Sequence, residues 1–234
     1  MFISIIIPTL NEEECIQDLL QFLAEHPGRN RFEIIVVDGG STDQTLKLVQ
    51  SFGLDPVQTK IASRAHQMNE GAKRATGEVF YFVHADTQLV TSFVEDIHEA
   101  ISSGVHSGCY RFRFLNPKNP LLHINGYFTR FPFKWCRGGD QTLFITREAF
   151  EEIGGFNERF VIMEDYDIID RIEKNNISFG VLPKSVKVSA RKYDRNSYMK
   201  VQLTNLKAMK MYRRGESPQL IWEFYYQALK GKYS

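Results

Sequence analysis

Asp165 is the residue of this sequence whose surroundings most favour acid–base chemistry. It follows Gly154-Gly-Phe156 and lies in the acidic segment Met163-Glu-Asp-Tyr-Asp167. If a helix begins near Glu164, one of its faces carries Asp165 together with Ile168, Ile169 and Ile172. A carboxylate then heads the inward face, where the helix dipole favours its ionised form. The spacing indicates either a general base at the edge of a cleft or an acid that caps the helix.

Polar segments follow three β-branched or aromatic runs that have the length of buried strands. Pro8–Glu12 follows the run 2–7, Asp38–Asp43 follows the run 32–37, and His84–Asp86 follows the run 78–83. Ligands of open α/β sheets bind beyond the carboxyl ends of the strands, so we expect the three segments to line one site. For Ser41 and Asp43 a plain turn or helix cap is the alternative.

Helical patterns separate these strands and predict an α/β fold. Asn11 is expected to cap a helix that runs to Pro27, with Ile16, Leu19, Leu20 and Leu23 on its buried face. Further helices are predicted at about 44–52, 63–76 and 92–102, and a strand at 110–114. The aromatic stretch 121–135 could line an acceptor pocket or belong to the core.

Composition excludes several classes of protein. The 234 residues carry 29 Lys and Arg against 28 Asp and Glu, so a nucleic-acid partner is not expected. The three widely spaced cysteines favour a reducing compartment over a disulfide framework. Apolar runs are too short for a transmembrane helix, and a signal peptide is not evident. A cytoplasmic location is therefore expected.

The basic residues cluster near the carboxyl terminus. Residues 191–214 include eight Lys or Arg and one Asp. On a helix over 195–214, Lys200, Lys207, Lys210 and Arg214 share one arc, and Tyr198, Leu206, Met209 and Tyr212 lie towards the other side. Such a helix could contact an anionic membrane surface as a peripheral protein, or simply expose a solvated face over a packed one.

The order of these motifs resembles that of the family-2 inverting glycosyltransferases of the GT-A fold. The resemblance is carried by Ile6-Ile-Pro-Thr-Leu-Asn-Glu12, Val36-Val-Asp-Gly-Gly-Ser-Thr-Asp43, His84-Ala-Asp86 and Glu164-Asp165. A bacterial subgroup sometimes labelled for arsenosugar biosynthesis is similar in four more segments, which are Arg64-Ala-His-Gln-Met-Asn69, Gly139-Asp-Gln141, Gly154-Gly-Phe156 and Ser189-Ala-Arg-Lys-Tyr193. The resemblance covers most of the chain, from about residue 2 to residue 226.

The fold implied by the resemblance is a Rossmann-like mixed central sheet flanked by helices. Residues 1–193 would form the GT-A domain, with a nucleotide-binding half at about 1–90 and an acceptor half at about 91–193. Residues 194–234 would form a helical extension packed on the same domain.

The activity implied by the resemblance is sugar transfer from a nucleotide-diphosphate donor to an unknown acceptor hydroxyl by a single inverting displacement. Asp165 would be the general base, and Asp86 would hold Mn²⁺ or Mg²⁺ against the leaving diphosphate. His84 stands where the commoner motif has a first carboxylate, so it could support the metal or be structural. A uridine donor is favoured by the habit of the family.

The resemblance also assigns the remaining candidate residues. Thr9, Glu12, Asp38 and Arg64 match nucleotide-binding positions, with Asp38 accepting a hydrogen bond from the base. Asp140, Gln141, Glu164 and Arg191 match positions near the donor sugar, the diphosphate or the acceptor. Tyr193 replaces the tryptophan that is common beside this arginine.

Three other functions fit the sequence less well. A sugar-phosphate nucleotidyltransferase usually has a glycine-rich loop where this chain has Pro8-Thr-Leu-Asn-Glu12, and a Rossmann dehydrogenase needs Gly-x-Gly-x-x-Gly, which is missing. A degenerate GT-A protein that binds a membrane or a partner would account for the basic helix. The presence of both Asp86 and Asp165 argues against it.

Overall fold

A computed structural model describes residues 1–131 and 141–229. Its centre is a seven-stranded mixed sheet of order β3-β2-β1-β4-β6-β5-β7. Of these strands, β6 alone runs antiparallel to its neighbours. The strands are β1 (Ile3–Thr9), β2 (Phe32–Asp38), β3 (Val57–Gln58), β4 (Val79–Phe82), β5 (Ser107–Phe114), β6 (Leu143–Thr146) and β7 (Phe179–Val188).

Ten helices and a single 3-10 turn at Arg29–Arg31 accompany the sheet within the described residues. The helices are α1 (Ile16–Ala24), α2 (Thr45–Ser51), α3 (Arg64–Arg74), α4 (Phe93–Ser102), α5 (Leu121–Phe128), α6 (Arg147–Glu152), α7 (Glu164–Lys174), α8 (Arg191–Arg195), α9 (Tyr198–Arg213) and α10 (Pro218–Leu229). The predicted mixed sheet with flanking helices is confirmed.

Alternating side chains of β1 divide the core between the two faces of the sheet. Ile3, Ile5 and Ile7 pack in a cluster with α1 and α4. Ile6 points the other way and packs in a second cluster with α3, α6 and α7. All seven residues of β1 are buried, which explains the unbroken apolar run of this central strand.

The predicted cap at Asn11 is wrong. Helix α1 begins at Ile16, and its first turn is preceded by Cys15 without a side-chain cap. Asn11 instead has a φ of 53°, and its side-chain oxygen accepts a hydrogen bond from the backbone N–H of Thr42 at 2.9 Å. Asn tolerates this left-handed conformation better than most residues, so it serves the loop between β1 and α1.

The C-terminal helices pack on the rest of the fold through a face that the sequence did not predict. On α9 the buried residues are Val201, Thr204, Ala208 and Met211, whereas Leu206 is 53% exposed. Val201, Ala208 and Met211 form a third core cluster with α10, Ile162 and Met163. The alternative of a packed apolar side that includes Leu206 is therefore not what the structure shows. None of the helices in residues 1–131 and 141–229 combines the length and apolar character needed to cross a bilayer.

The aromatic stretch from residue 121 is largely exposed where the structure describes it. Leu122 is buried, but α5 also carries four large apolar residues that are 38–50% exposed, namely Leu121, Ile124, Tyr127 and Phe128. This contradicts the core interpretation for α5. Residues 132–135 lie outside the described residues.

Candidate functional site

The three polar segments that follow β1, β2 and β4 lie at one edge of the sheet. These strands are parallel neighbours, with Thr9 paired to Asp38 and Ile6 paired to Phe82. Gln141 joins the same edge, because β6 starts there, beside the end of β4. The predicted convergence at the carboxyl ends of the strands is therefore present.

Asp38 is buried and anchors its own loop. One carboxylate oxygen accepts hydrogen bonds from the backbone N–H groups of Gly40 (2.9 Å) and Ser41 (2.8 Å). The other accepts from the hydroxyls of Thr9 (3.2 Å) and Ser41 (2.5 Å). A carboxylate offers about four lone-pair positions, so these donors fill the places that a nucleotide base would use. A direct bond to a base would have to displace one of them.

Gln67 is a site residue that sequence reasoning missed. It is buried on α3, and its side-chain amide donates to the backbone carbonyls of Thr9 and Val37, both at 2.8 Å. It therefore ties together the ends of β1 and β2. The sequence feature that could have identified it is a polar residue on the otherwise small and apolar buried face of α3.

Arg191 joins the first loop to the loop after β4. Its guanidinium donates from one nitrogen to a carboxylate oxygen of Glu12 (2.7 Å) and of Asp86 (3.1 Å). Burial raises the pKa of Glu12 although Arg191 opposes the rise. Two carboxylates and one guanidinium thus converge at the rim of the site. Glu12 and Arg191, assigned to donor binding, and Asp86, assigned to the metal, are brought together there.

The donor set at this rim suits a hard divalent cation that is completed by its substrate. Within residues 1–131 and 141–229, no group of three or more His, Cys, Asp or Glu side chains could hold a metal. Mg²⁺ in nucleotide sites is commonly bound by one or two carboxylates together with substrate phosphates. Asp86, with Glu12 close by, fits that arrangement.

The start of α7 holds Glu164 and Asp165 in a fixed position. Met163, immediately before it, is buried and has a φ of 70°. A non-glycine residue adopts this left-handed conformation only when its surroundings enforce it. Glu164 is 2% exposed, and one of its oxygens accepts from the Arg64 guanidinium at 2.8 Å. Arg64, assigned to the nucleotide, therefore reaches the acidic pair.

A cavity of about 40 Å³ lies between α7 and the strand ends, large enough for a few water molecules. Its polar lining is His84, Gln141, Thr142, Glu164 and Asp165. The free oxygen of Glu164 and the side-chain oxygen of Gln141 are buried there without a hydrogen-bond partner among the described residues. The Gln141 oxygen is available to accept a hydrogen bond, and so is the Glu164 oxygen when its carboxyl is ionised. Asp140, assigned to the same region, lies outside the described residues.

The half-buried Cys15 is not a candidate nucleophile, although it lies near Arg191. Burial raises the pKa of its thiol to about 11, so the thiol is protonated at neutral pH.

Glu164 should make the stability of the protein depend on pH. Burial raises its pKa from 4.5 to about 7, and Asp165 adds to the rise while Arg64 opposes it. Between these values the folded protein keeps a proton that the unfolded chain has lost. The free energy of unfolding should therefore fall with rising pH by up to about 1.4 kcal/mol per pH unit, and level off above pH 7.

Urea unfolding at pH 5, 6, 7 and 8 would measure this slope, with Glu164→Gln as the matched control because it cannot titrate. The difference in slope between the two proteins isolates Glu164 from other titrating groups. Equal slopes would show that the carboxyl is ionised throughout.

Two family models match the chain. One, described as glycosyl transferase family 2, matches residues 4–153, and another, described as the N-terminal domain of galactosyltransferase, matches residues 118–196. The poly(ribitol-phosphate) beta-N-acetylglucosaminyltransferase TarS of Staphylococcus aureus (strain MW2) is 33% identical over 195 residues, which are 74% of this chain and 34% of that protein. The chain thus spans about a third of the length of this curated relative.

Solved structures share the fold. TarS 1–349 of S. aureus in complex with UDP-GlcNAc has a TM-score of 0.69 and 20% identity, and the match covers 98% of this chain and 72% of that chain. The mannosyltransferase PcManGT of Pyrobaculum calidifontis, in complex with GDP-Man and Mn²⁺, has a TM-score of 0.65 and 19% identity, covering 97% of this chain and 72% of that one. The GT-A fold expected from the motifs is confirmed.

Proposed function

This chain belongs to glycosyl transferase family 2, and on that premise we propose that it moves a sugar from a nucleotide-diphosphate donor, a UDP-sugar, to an acceptor hydroxyl in one inverting displacement. The observation that carries the proposal is the position of Asp165. It lines a cavity at the edge of the sheet where the loops bearing Glu12, Asp38 and Asp86 converge.

Asp165 is proposed as the general base. In a single displacement the acceptor oxygen attacks the anomeric carbon as the bond to the diphosphate breaks, and its proton must leave in the same step. A carboxylate in the first turn of α7 is stabilised in its ionised form by the helix dipole, which suits proton acceptance. No covalent sugar–enzyme intermediate is required, in keeping with the protonated thiol of Cys15.

The rim formed by Glu12, Asp86 and Arg191 is proposed to receive the diphosphate. When bound there, Mn²⁺ or Mg²⁺ on Asp86 would neutralise part of the charge of the leaving group. The Arg191 guanidinium, which donates from one nitrogen to Glu12 and Asp86, has a planar fork of donors that suits phosphate oxygens, and it can exchange its carboxylate partners for them. The related structures, one in complex with UDP-GlcNAc and the other with GDP-Man and Mn²⁺, support both the donor class and the metal.

Donor binding is the first test, and Asp38 is its most informative position. Titration calorimetry with UDP and GDP, with and without Mn²⁺, should show metal-dependent binding of UDP. Asp38→Ala should weaken that binding by about 1–3 kcal/mol, because the loop loses a buried charged acceptor. Asp86→Ala should reduce the effect of the metal and leave metal-free binding nearly unchanged.

Ser41→Ala is the control that separates two roles of Asp38. It removes one of the donors that Asp38 accepts from but keeps the carboxylate. If Asp38 contacts the base, Ser41→Ala keeps the affinity for UDP; if Asp38 only anchors the loop, Ser41→Ala loses part of that affinity. Binding of neither nucleotide by the wild type would contradict the proposal and favour a degenerate protein that binds a partner.

A further inference from the structure

The outward face of α9 combines apolar and basic side chains. Three large apolar residues lie on it, Met199 (59% exposed), Leu203 (59%) and Leu206 (53%). At 100° per residue they share an arc of about 60°. Five exposed cations lie within or beside that arc, namely Lys200, Lys207, Lys210, Arg213 and Arg214. Residues 198–214 include no acidic residue, so this face is uniformly positive.

A helix that exposes apolar side chains in water usually covers them with a partner. The pattern seen here, with apolar residues between long basic side chains, suits a bilayer interface, where the apolar groups enter the acyl boundary and the cations reach the anionic headgroups. A protein partner would have to present a surface that is both acidic and apolar to match it.

Helix α5 continues the apolar surface. Its Tyr127 and Phe128 are 50% and 38% exposed, and Arg130 stacks over the Tyr127 ring at 3.7 Å. The hydroxyl of Tyr198, the first residue of α9, donates to Asn125 of α5 at 2.8 Å. The two helices are therefore in contact where α9 begins, and aromatic residues such as Tyr are favoured at membrane interfaces.

This surface adjoins the candidate site. Arg191, which contacts Glu12 and Asp86, begins the short helix α8, and two residues separate α8 from α9. We propose that the outward faces of α5 and α9 dock this protein on an anionic lipid bilayer, with the cleft at the membrane surface. An acceptor hydroxyl carried on a lipid could then reach the site without leaving the bilayer.

Vesicle co-sedimentation tests the proposal without any nucleotide. The wild type should bind vesicles of phosphatidylglycerol and phosphatidylcholine, mixed roughly one part to two, and bind pure phosphatidylcholine much more weakly, with high salt releasing it. Lys207→Glu/Lys210→Glu/Arg214→Glu should lower the affinity at least about tenfold. Leu203→Gln/Leu206→Gln should also lower it, by removing the inserted side chains.

The matched control is Lys47→Glu/Lys73→Glu/Arg74→Glu, on exposed positions of α2 and α3, which changes the net charge equally. It should bind like the wild type. If the reversed α9 variant fails to fold, the Gln versions of the same three positions replace it. Equal loss in both charge variants, or no binding of the wild type to anionic vesicles, would overturn the proposal.

Light scattering on the free protein tests whether a second copy of the chain occupies this face. A dimer that Leu203→Gln/Leu206→Gln converts to a monomer would assign the face to a second copy of the chain and also overturn the proposal. Because UDP binding is measured separately, failure of membrane docking would leave the proposed transferase function untouched.

Discussion

Asp165→Asn is expected to lower sugar transfer by about 10²–10⁴-fold while leaving UDP affinity within about twofold of the wild type. The amide has nearly the same shape as the carboxylate, so the start of α7 should keep its structure. The amide cannot take up the proton of the acceptor hydroxyl, however. During attack on the anomeric carbon, that proton would then have to pass to water. Release of UDP from a UDP-sugar, followed in the presence of candidate acceptors or of water alone, measures the loss.

Glu173→Gln provides the control for this experiment. It makes the equivalent change of carboxylate to amide on the same helix, at an exposed position, and should keep the wild-type rate. Calorimetry with UDP shows whether each variant still binds the donor. If Asp165→Asn transferred sugar at the normal rate, Asp165 would not be the base, and the buried carboxyl of Glu164 would be the next candidate.

The sequence was sufficient for the parts of the fold that depend on burial of long apolar runs. Strands β1, β2 and β4 are central and buried, so their composition alone marks them, and their parallel order places Thr9, Asp38 and Asp86 at one edge. Strand β7 was missed because Pro183 and Lys184 interrupt its pattern. They lie where the register between β5 and β7 shifts, a place that tolerates proline in a strand.

Long-range polar partners could not be predicted, because spacing along the chain does not determine them. Arg191 meets Glu12 and Asp86 only when the chain after β7 returns to the sheet edge. The buried face of α9 was not predicted either, since small residues such as Ala208 pack against α10 and leave the larger Leu203 and Leu206 outside. Residue size on a helix is a poor guide when the partner is another helix.

Arg64 shows how the structure changes the meaning of a motif residue. The resemblance assigns it to the nucleotide, yet its guanidinium binds the buried Glu164 at 2.8 Å. Removing one partner of a buried ion pair leaves an uncompensated charge, which typically costs about 3–5 kcal/mol, whereas replacing both partners is often nearly neutral. Because the Arg64 side chain is 31% exposed, the lower end of that range applies here.

Arg64→Met is therefore expected to lower the free energy of unfolding by about 3 kcal/mol at pH 8, and Arg64→Met/Glu164→Gln should recover most of it. The loss should shrink at pH 6. Without Arg64 the pKa of Glu164, already raised by burial, rises further, and protonation then removes the buried charge. Urea unfolding of the wild type, both single variants and the double variant at the two pH values gives the coupling energy. Additive losses would mean that the pair is not coupled, and Arg64 would then act through the nucleotide, as weaker UDP binding in calorimetry would reveal.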